Sequence, residues 1–157
     1  MDHDIAEGVY LQFLTRDGAP TGYAFQQFHV GETRTYEGVD YLFAGFQYSG
    51  ATIDLGFPNA EAVLAFHANT LGLNIWKQAA DDLWIARVRT VWLDPETLDE
   101  TGVQMIDTYA VTGYTHDLQQ VSLTLGSPLD AIGGDWPRRV LTQAMVGALP
   151  PTGDARF

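Results

Sequence analysis

The chain has 157 residues, a length that suits one domain with a sizeable core, and no cysteine. Disulfides, thiolate metal sites, iron–sulfur clusters and a cysteine nucleophile are therefore excluded. Acidic residues number 20 and basic residues 8, a net charge of −12 with Lys77 the single lysine, so neither nucleic acid nor an anionic membrane surface is an expected partner. No apolar run is long enough to span a bilayer. The start Met1-Asp2-His3-Asp4 lacks the apolar stretch of a signal peptide, so none is expected. Charged residues are 18% of the chain, below the ~25% usual for a soluble domain, while aromatics reach 12%. Two readings fit that balance: a surface partly covered by neighbouring subunits, or a β-rich monomer.

Val9, Leu11 and Phe13 alternate with Tyr10, Gln12 and Leu14, a strand pattern that ends at Arg16-Asp17-Gly18-Ala19-Pro20. Residues 22–30 read as its hairpin partner. Thr33-Arg34-Thr35-Tyr36 and Tyr41-Leu42-Phe43 flank a short glycine-containing turn and predict a second hairpin. Residues 46–48 and 51–55 supply further strand material. Asn59 is a good helix N-cap, and residues 60–71 carry Val63, Phe66 and Thr70 at helical spacing before Gly72, which predicts a helix near residues 59–71.

Residues 83–93 form the longest strand candidate. Trp84, Ala86, Val88 and Trp92 share one face; Leu83, Ile85, Val91 and Leu93 share the other with Arg87 and Arg89. Apolar residues on both faces predict a central strand, or one face covered by another chain. Asp94 to Gly102 is a polar loop, residues 103–113 alternate again, and Val121, Leu123 and Leu125 mark a strand over 120–125. A short helix starting at Pro137 is expected, and residues 149–153 read as an extended tail. There is no internal repeat and no linker. The fold class expected is mainly β: an antiparallel β-barrel or sandwich of about eight strands with one inserted α-helix. It forms a single domain over 1–140 with a C-terminal extension over 141–157.

Chemistry is sparse. His3, His29, His67 and His116 have no metal-ligand spacing, and neighbours of His67 on the predicted helix are Val63 and Leu71. Ser122, Ser127, His116 and Asp117 include the residue types of a hydrolase triad, but no Gly-x-Ser-x-Gly elbow is present. Asp94, Glu96, Asp99 and Glu100 offer oxygen ligands for Ca²⁺; without an EF-hand pattern they read as a solvated hairpin tip. No pair of carboxylates is singled out for glycosidase chemistry. Trp76, Trp84, Trp92 and Trp136, with seven tyrosines, suit either sugar stacking or a core. No cofactor or metal is expected, and no enzyme activity.

An ordered set of segments resembles one family. Thr35-Tyr36-Glu37-Gly38-Val39-Asp40-Tyr41 is similar to an early hairpin of the minor tail protein L family of lambda-like phages and related short tail-tip proteins. A strand (51–55), a helix (59–71) and a long strand ending in Trp92-Leu93-Asp94 follow in the same order. Val121-Ser122-Leu123-Thr124-Leu125-Gly126-Ser127-Pro128 and Trp136-Pro137-Arg138-Arg139 complete the set, which covers about residues 33–140. The longer family members carry a cysteine-rich region that holds an iron–sulfur cluster. This chain has no cysteine, so that property is not carried over.

The resemblance implies a tail-hub or tube-like fold and a structural virion protein at the distal end of a tail, assembled in the host cytoplasm. Such a protein forms a threefold or sixfold ring between tail tube or distal tail and the hub or baseplate. On the residues themselves, an interface rich in arginine and apolar side chains is expected from Arg87, Arg89 and Val91 on the long strand. Trp136, Arg138 and Arg139 are expected to join it from the C-terminal segment. A carbohydrate-binding β-sandwich is the alternative, and a small hydrolase using Asp or Glu a third reading.

Overall fold

The computed structural model describes residues 6–50 and 62–128. Nine strands and one helix occupy them. β1 (Ala6–Leu14), β2 (Pro20–Gln26), β3 (Thr33–Tyr36), β4 (Val39–Phe43), β5 (Phe46–Tyr48) and β6 (Ala62–His67) precede α1 (Leu73–Asp81). β7 (Ile85–Leu93), β8 (Glu100–His116) and β9 (Gln120–Gly126) follow it. One sheet takes them all in the order β3-β4-β2-β1-β7-β8-β9-β6-β5. The mainly-β expectation holds. The sheet is mixed, however, because β2 and β4 run parallel, joined at Phe25↔Leu42 and Gln26↔Phe43. It is not closed into a barrel.

The sheet curls tightly all the same. β2 and β6 are five steps apart in strand order, which in a flat sheet would separate them by about 24 Å. Yet the rings of Phe25 and Phe66 lie 5.9 Å apart, and those of Phe13 and Phe66 6.5 Å apart. The link Ala44-Gly45 between β4 and β5 explains how the two ends approach. So short a connection spans at most about 11 Å from Phe43 to Phe46, so the strands near opposite ends of the order must sit close together.

Curling encloses the main core. Leu11, Phe13, Phe25, Phe46, Leu64, Phe66, Trp84, Val88, Val121, Leu123 and Leu125 point into it. α1 plugs one side, lying against β8 and β9 and inserting Trp76 and Ala79. The Trp76 ring stands 4.6 Å from that of Phe66 and 6.1 Å from that of Phe13.

The helix is not where the sequence pattern put it. Residues 62–67 form β6, with Ala62, Leu64 and Phe66 buried and Val63 and His67 exposed, a period of two. Six residues of apolar-rich chain satisfy a helical spacing and a strand spacing almost equally. The decision comes from β9, against which Ala62–His67 pairs antiparallel along its whole length. Gly72 then acts at the start of the helix, as its N-cap without a side-chain bond, and not at its end. The part of the expected helix over 59–61, the expected strand over 51–55 and the expected short helix at Pro137 lie outside the described residues.

A second, smaller cluster forms on the opposite face of β1 and β7. Tyr10, Ala24, Tyr41, Val91 and Leu93 are buried there, with Phe28, Tyr36, Val39 and Leu98 packed around them. The β3–β4 hairpin covers it. Its two-residue turn, Glu37-Gly38, has positive φ at both positions, the geometry that matches strand twist in a tight hairpin. The Tyr36 ring stacks on Tyr10 at 4.8 Å and 16°.

Candidate functional site

The first candidate surface is the second face of β7, from which Arg87, Arg89 and Val91 project. The covering element proves to be the chain's own hairpin. Val91 is 2% exposed and packs in the smaller cluster, so it is not offered to a neighbour in this conformation. Arg89 donates from Nη1 to Glu37 at 2.7 Å and holds its guanidinium 5.1 Å from the Tyr36 ring centre, leaving its side chain 11% exposed. Arg87 is half-buried. Trp136, Arg138 and Arg139 lie outside the described residues. Sequence spacing located the apolar stripe correctly, but nothing local announces that residues 33–43 fold back over it.

A polar latch secures that hairpin. Arg34 on β3 donates from Nη2 to Asp99, in the turn between β7 and β8, at 3.1 Å and to Glu100, the first residue of β8, at 3.4 Å. Its Nη1 also lies 2.5 Å from His29 Nε2. Tyr10 donates its hydroxyl hydrogen to the other Glu100 oxygen. Burial pushes the Glu100 carboxyl upward, but the Tyr10 hydroxyl, a backbone N–H and Arg34 outweigh it and hold the group below its ordinary value. Burial, helped by the bond to Glu100, drives the Tyr10 hydroxyl well above its ordinary value.

The acidic loop is otherwise spent on its own turn. Asp94 accepts the backbone N–H groups of Glu96 and Thr97, which lower its carboxyl, and Leu98 N–H closes back on Asp94 O. Among the described residues no three His, Asp or Glu side chains converge on one point. Asp117 likewise caps the β8–β9 turn by accepting from Gln119 and Gln120 N–H, and His116 stacks beside Tyr114. Trp76 and Trp84 are core residues, and Trp92 is half-buried.

Two other surfaces escaped the sequence reading. The first is the near half of β8. This strand pairs with β7 over residues 100–110 and with β9 only over 110–116. Along 101–109, therefore, no described strand pairs with its second side, although Tyr48 of β5 reaches this stretch, donating its hydroxyl to Asp107 at 3.2 Å and sharing a hydrogen bond with the Tyr109 hydroxyl at 2.7 Å. The stretch has no Lys and no Pro, and it exposes Met105 (60%) on one face and Ile106 (49%) on the other. Natural sheets usually protect a bare edge with Lys, Pro or a charge pointing inward. Only the alternation of residues 103–113 was visible in sequence; how far β9 reaches along β8 was not.

The second is a shallow trough on the outer face of β5, β6 and β9. It consists of two adjoining hollows of about 380 and 580 Å³ that share Phe46, Gln47, Ala65 and Gln120. Gln47, Ala65 and Ser122 lie side by side across the three strands, so a small residue forms the middle of the floor. Gln27, Ser49 and Val63 line one end and His67 and Gln119 the other.

Against known proteins the chain matches no family model and no curated sequence.

Proposed function

We propose that the chain is a structural, non-enzymatic subunit of a phage tail tip, a virion protein that forms or joins a ring between the tail tube and the hub. The observation that carries this reading is the edge of β8 along 101–109, with which no described strand pairs on its second side. Backbone N–H and C=O groups along 101–109 can accept a strand from a neighbour, which would also cover Met105 and Ile106. Charge supports a second copy as that neighbour. Two chains of net charge −12 repel, yet Asp107 is the one charged residue in this stretch, so here two copies approach with least opposition. The resemblance adds its support through segments that become β3–β4, β7 and β9 of one sheet. The helix that the resemblance places at 59–71 departs from it: residues 62–67 form β6 and α1 comes at 73–81, still ahead of β7.

The test uses a phage carrying this gene. A strain lacking it, supplied with the double variant Met105→Lys/Ile106→Lys, should yield folded protein that does not enter tails and few complete particles. Incorporation at the wild-type level would show that this edge is not the joint. Absence of the wild-type protein from purified virions would overturn the tail reading itself.

A further inference from the structure

The edge of β8 along 101–109 starts where β9 stops. Gly126 lies opposite Ala110 and the two strands run antiparallel, so β9 points along that edge as it ends. Ser127 and Pro128 are the last described residues. Beyond them in the sequence, residues 136–149 hold Arg138 and Arg139, no acidic residue, and the apolar Val140, Leu141, Ala144, Met145, Ala148 and Leu149. Those six apolar residues recur at the spacing of one helix face. The eight residue steps from Pro128 to Trp136 reach at most about 28 Å, and the edge is about 27 Å long, so the segment reaches any part of it.

We propose that residues 136–149 of the same chain cover the β8 edge in the free protein, and that a second copy joins the edge only by displacing them. Tethering favours this occupant, because a segment attached beside the edge faces it at an effective concentration of order 1 mM. Apolar surface matches on the two sides: Met105 is 60% and Ile106 49% exposed, and the segment brings a stripe of similar residues. Charge matches as well. Asp107 accepts the Tyr48 hydroxyl and has no ion pair among the described residues, while Arg138 and Arg139 head a segment without acids. A second copy, at net charge −12, is repelled where this segment is attracted. Sheet edges without Lys or Pro are commonly covered by a helix or loop of their own chain. The inference rests on the tail reading at one point, that this edge is the joint between copies, and adds what keeps the joint closed before assembly.

The chain has no cysteine, so introduced thiols have no competitors. The full chain carrying Met105→Cys/Ala144→Cys is treated with a short bismaleimide. Leu118→Cys/Ala144→Cys is the control, because Leu118 is 99% exposed in the turn at the far end of β9. The first pair should link within one chain at least about tenfold faster than the control. Adding Val140→Asp/Leu141→Asp should abolish that preference. The full chain with Val140→Asp/Leu141→Asp alone should self-associate in sedimentation with a Kd at least about tenfold below that of the wild type, and Met105→Lys/Ile106→Lys should reverse this. Equal linking rates at 105 and 118, or links formed only between chains, would overturn the cover. Loss of the link with no gain in self-association would overturn its role as a guard. These results are read on purified protein and are distinct from the virion test of the tail reading.

Discussion

The two faces of the β1–β7 pair are built differently. On one, Phe13, Trp84, Ala86 and Val88 belong to a core closed by distant strands and by α1. On the other, Tyr10, Val91 and Leu93 lie under a hairpin nearby in sequence to β2, held by a stacked tyrosine and an Arg–carboxylate latch. The first face is stabilised by bulk apolar burial. The second is a thin layer in which polar bonds at the rim decide how well a few aromatic rings stay covered. A face that needs covering but has little apolar material to cover it must be pinned at its edges.

The comparison is most easily broken by truncating one ring on each side. Phe66→Ala removes a ring packed against Phe13, Phe25, Phe46 and Trp76 and should cost about 3–5 kcal/mol in urea denaturation. Tyr36→Ala, half-buried on the other face, should cost about 1–2 kcal/mol. Equal losses would mean that the two layers contribute alike.

Gln26 sharpens the contrast, because it is a buried polar residue that shapes the covered face. It is fully buried; its Nε2 donates to His29 O and Glu32 O, and its Oε1 accepts from Phe28 and His29 N–H. Gln26→Leu strands those backbone groups and should cost about 2–3 kcal/mol. Hydrogen exchange should speed first in residues 28–36; uniform speeding across the sheet would show that the hairpin does not loosen by itself.

Gly8 tests how closely that layer fits. A Cβ there would meet Leu93 Cδ1 and Phe28 Cδ1 at 2.8 Å, so Gly8→Ala should cost about 1–3 kcal/mol by displacing Phe28. A neutral result in thermal melts would mean that Phe28 moves freely.

The smallest expected effect is in pH. Glu100 titrates below its ordinary 4.5 in the folded protein, so its contribution is complete above that pH and is lost as pH falls through the folded value. Tyr10 is shifted upward from 10.0, so its contribution is complete below pH 10 and is lost as pH rises above it. The stability difference between wild type and Glu100→Gln should therefore be flat near neutrality, about 1 kcal/mol for this partly exposed group, and shrink in acid. A difference that grows as pH falls would contradict the latch.

Much of the strand content was legible because a strand with one buried face writes itself as alternation. β9 shows it with Val121, Leu123 and Leu125, all fully buried, and the Glu37-Gly38 turn announces its hairpin. The helix was misplaced because Ala62–His67 is short enough to fit two periods, and only pairing with β9 distinguishes them. The role of Trp76 was missed for the same reason, since α1 itself went unrecognised. The β8 edge and the glutamine trough were invisible because both depend on where other strands stop.

Composition, alternation and turn chemistry determined by themselves that this is a β protein with a strongly acidic, cysteine-free chain and two-sided apolar character in β7. Those are local properties, set by residue type and by the two-residue period of a strand. Tertiary structure decided which strands neighbour which, that β2 and β4 run parallel, and that the second face of β7 is covered by its own chain. It also decided that β9 stops short along β8, so that no described strand pairs with residues 101–109 on that side. Each of those depends on contacts between residues far apart in sequence, whose geometry no local pattern encodes.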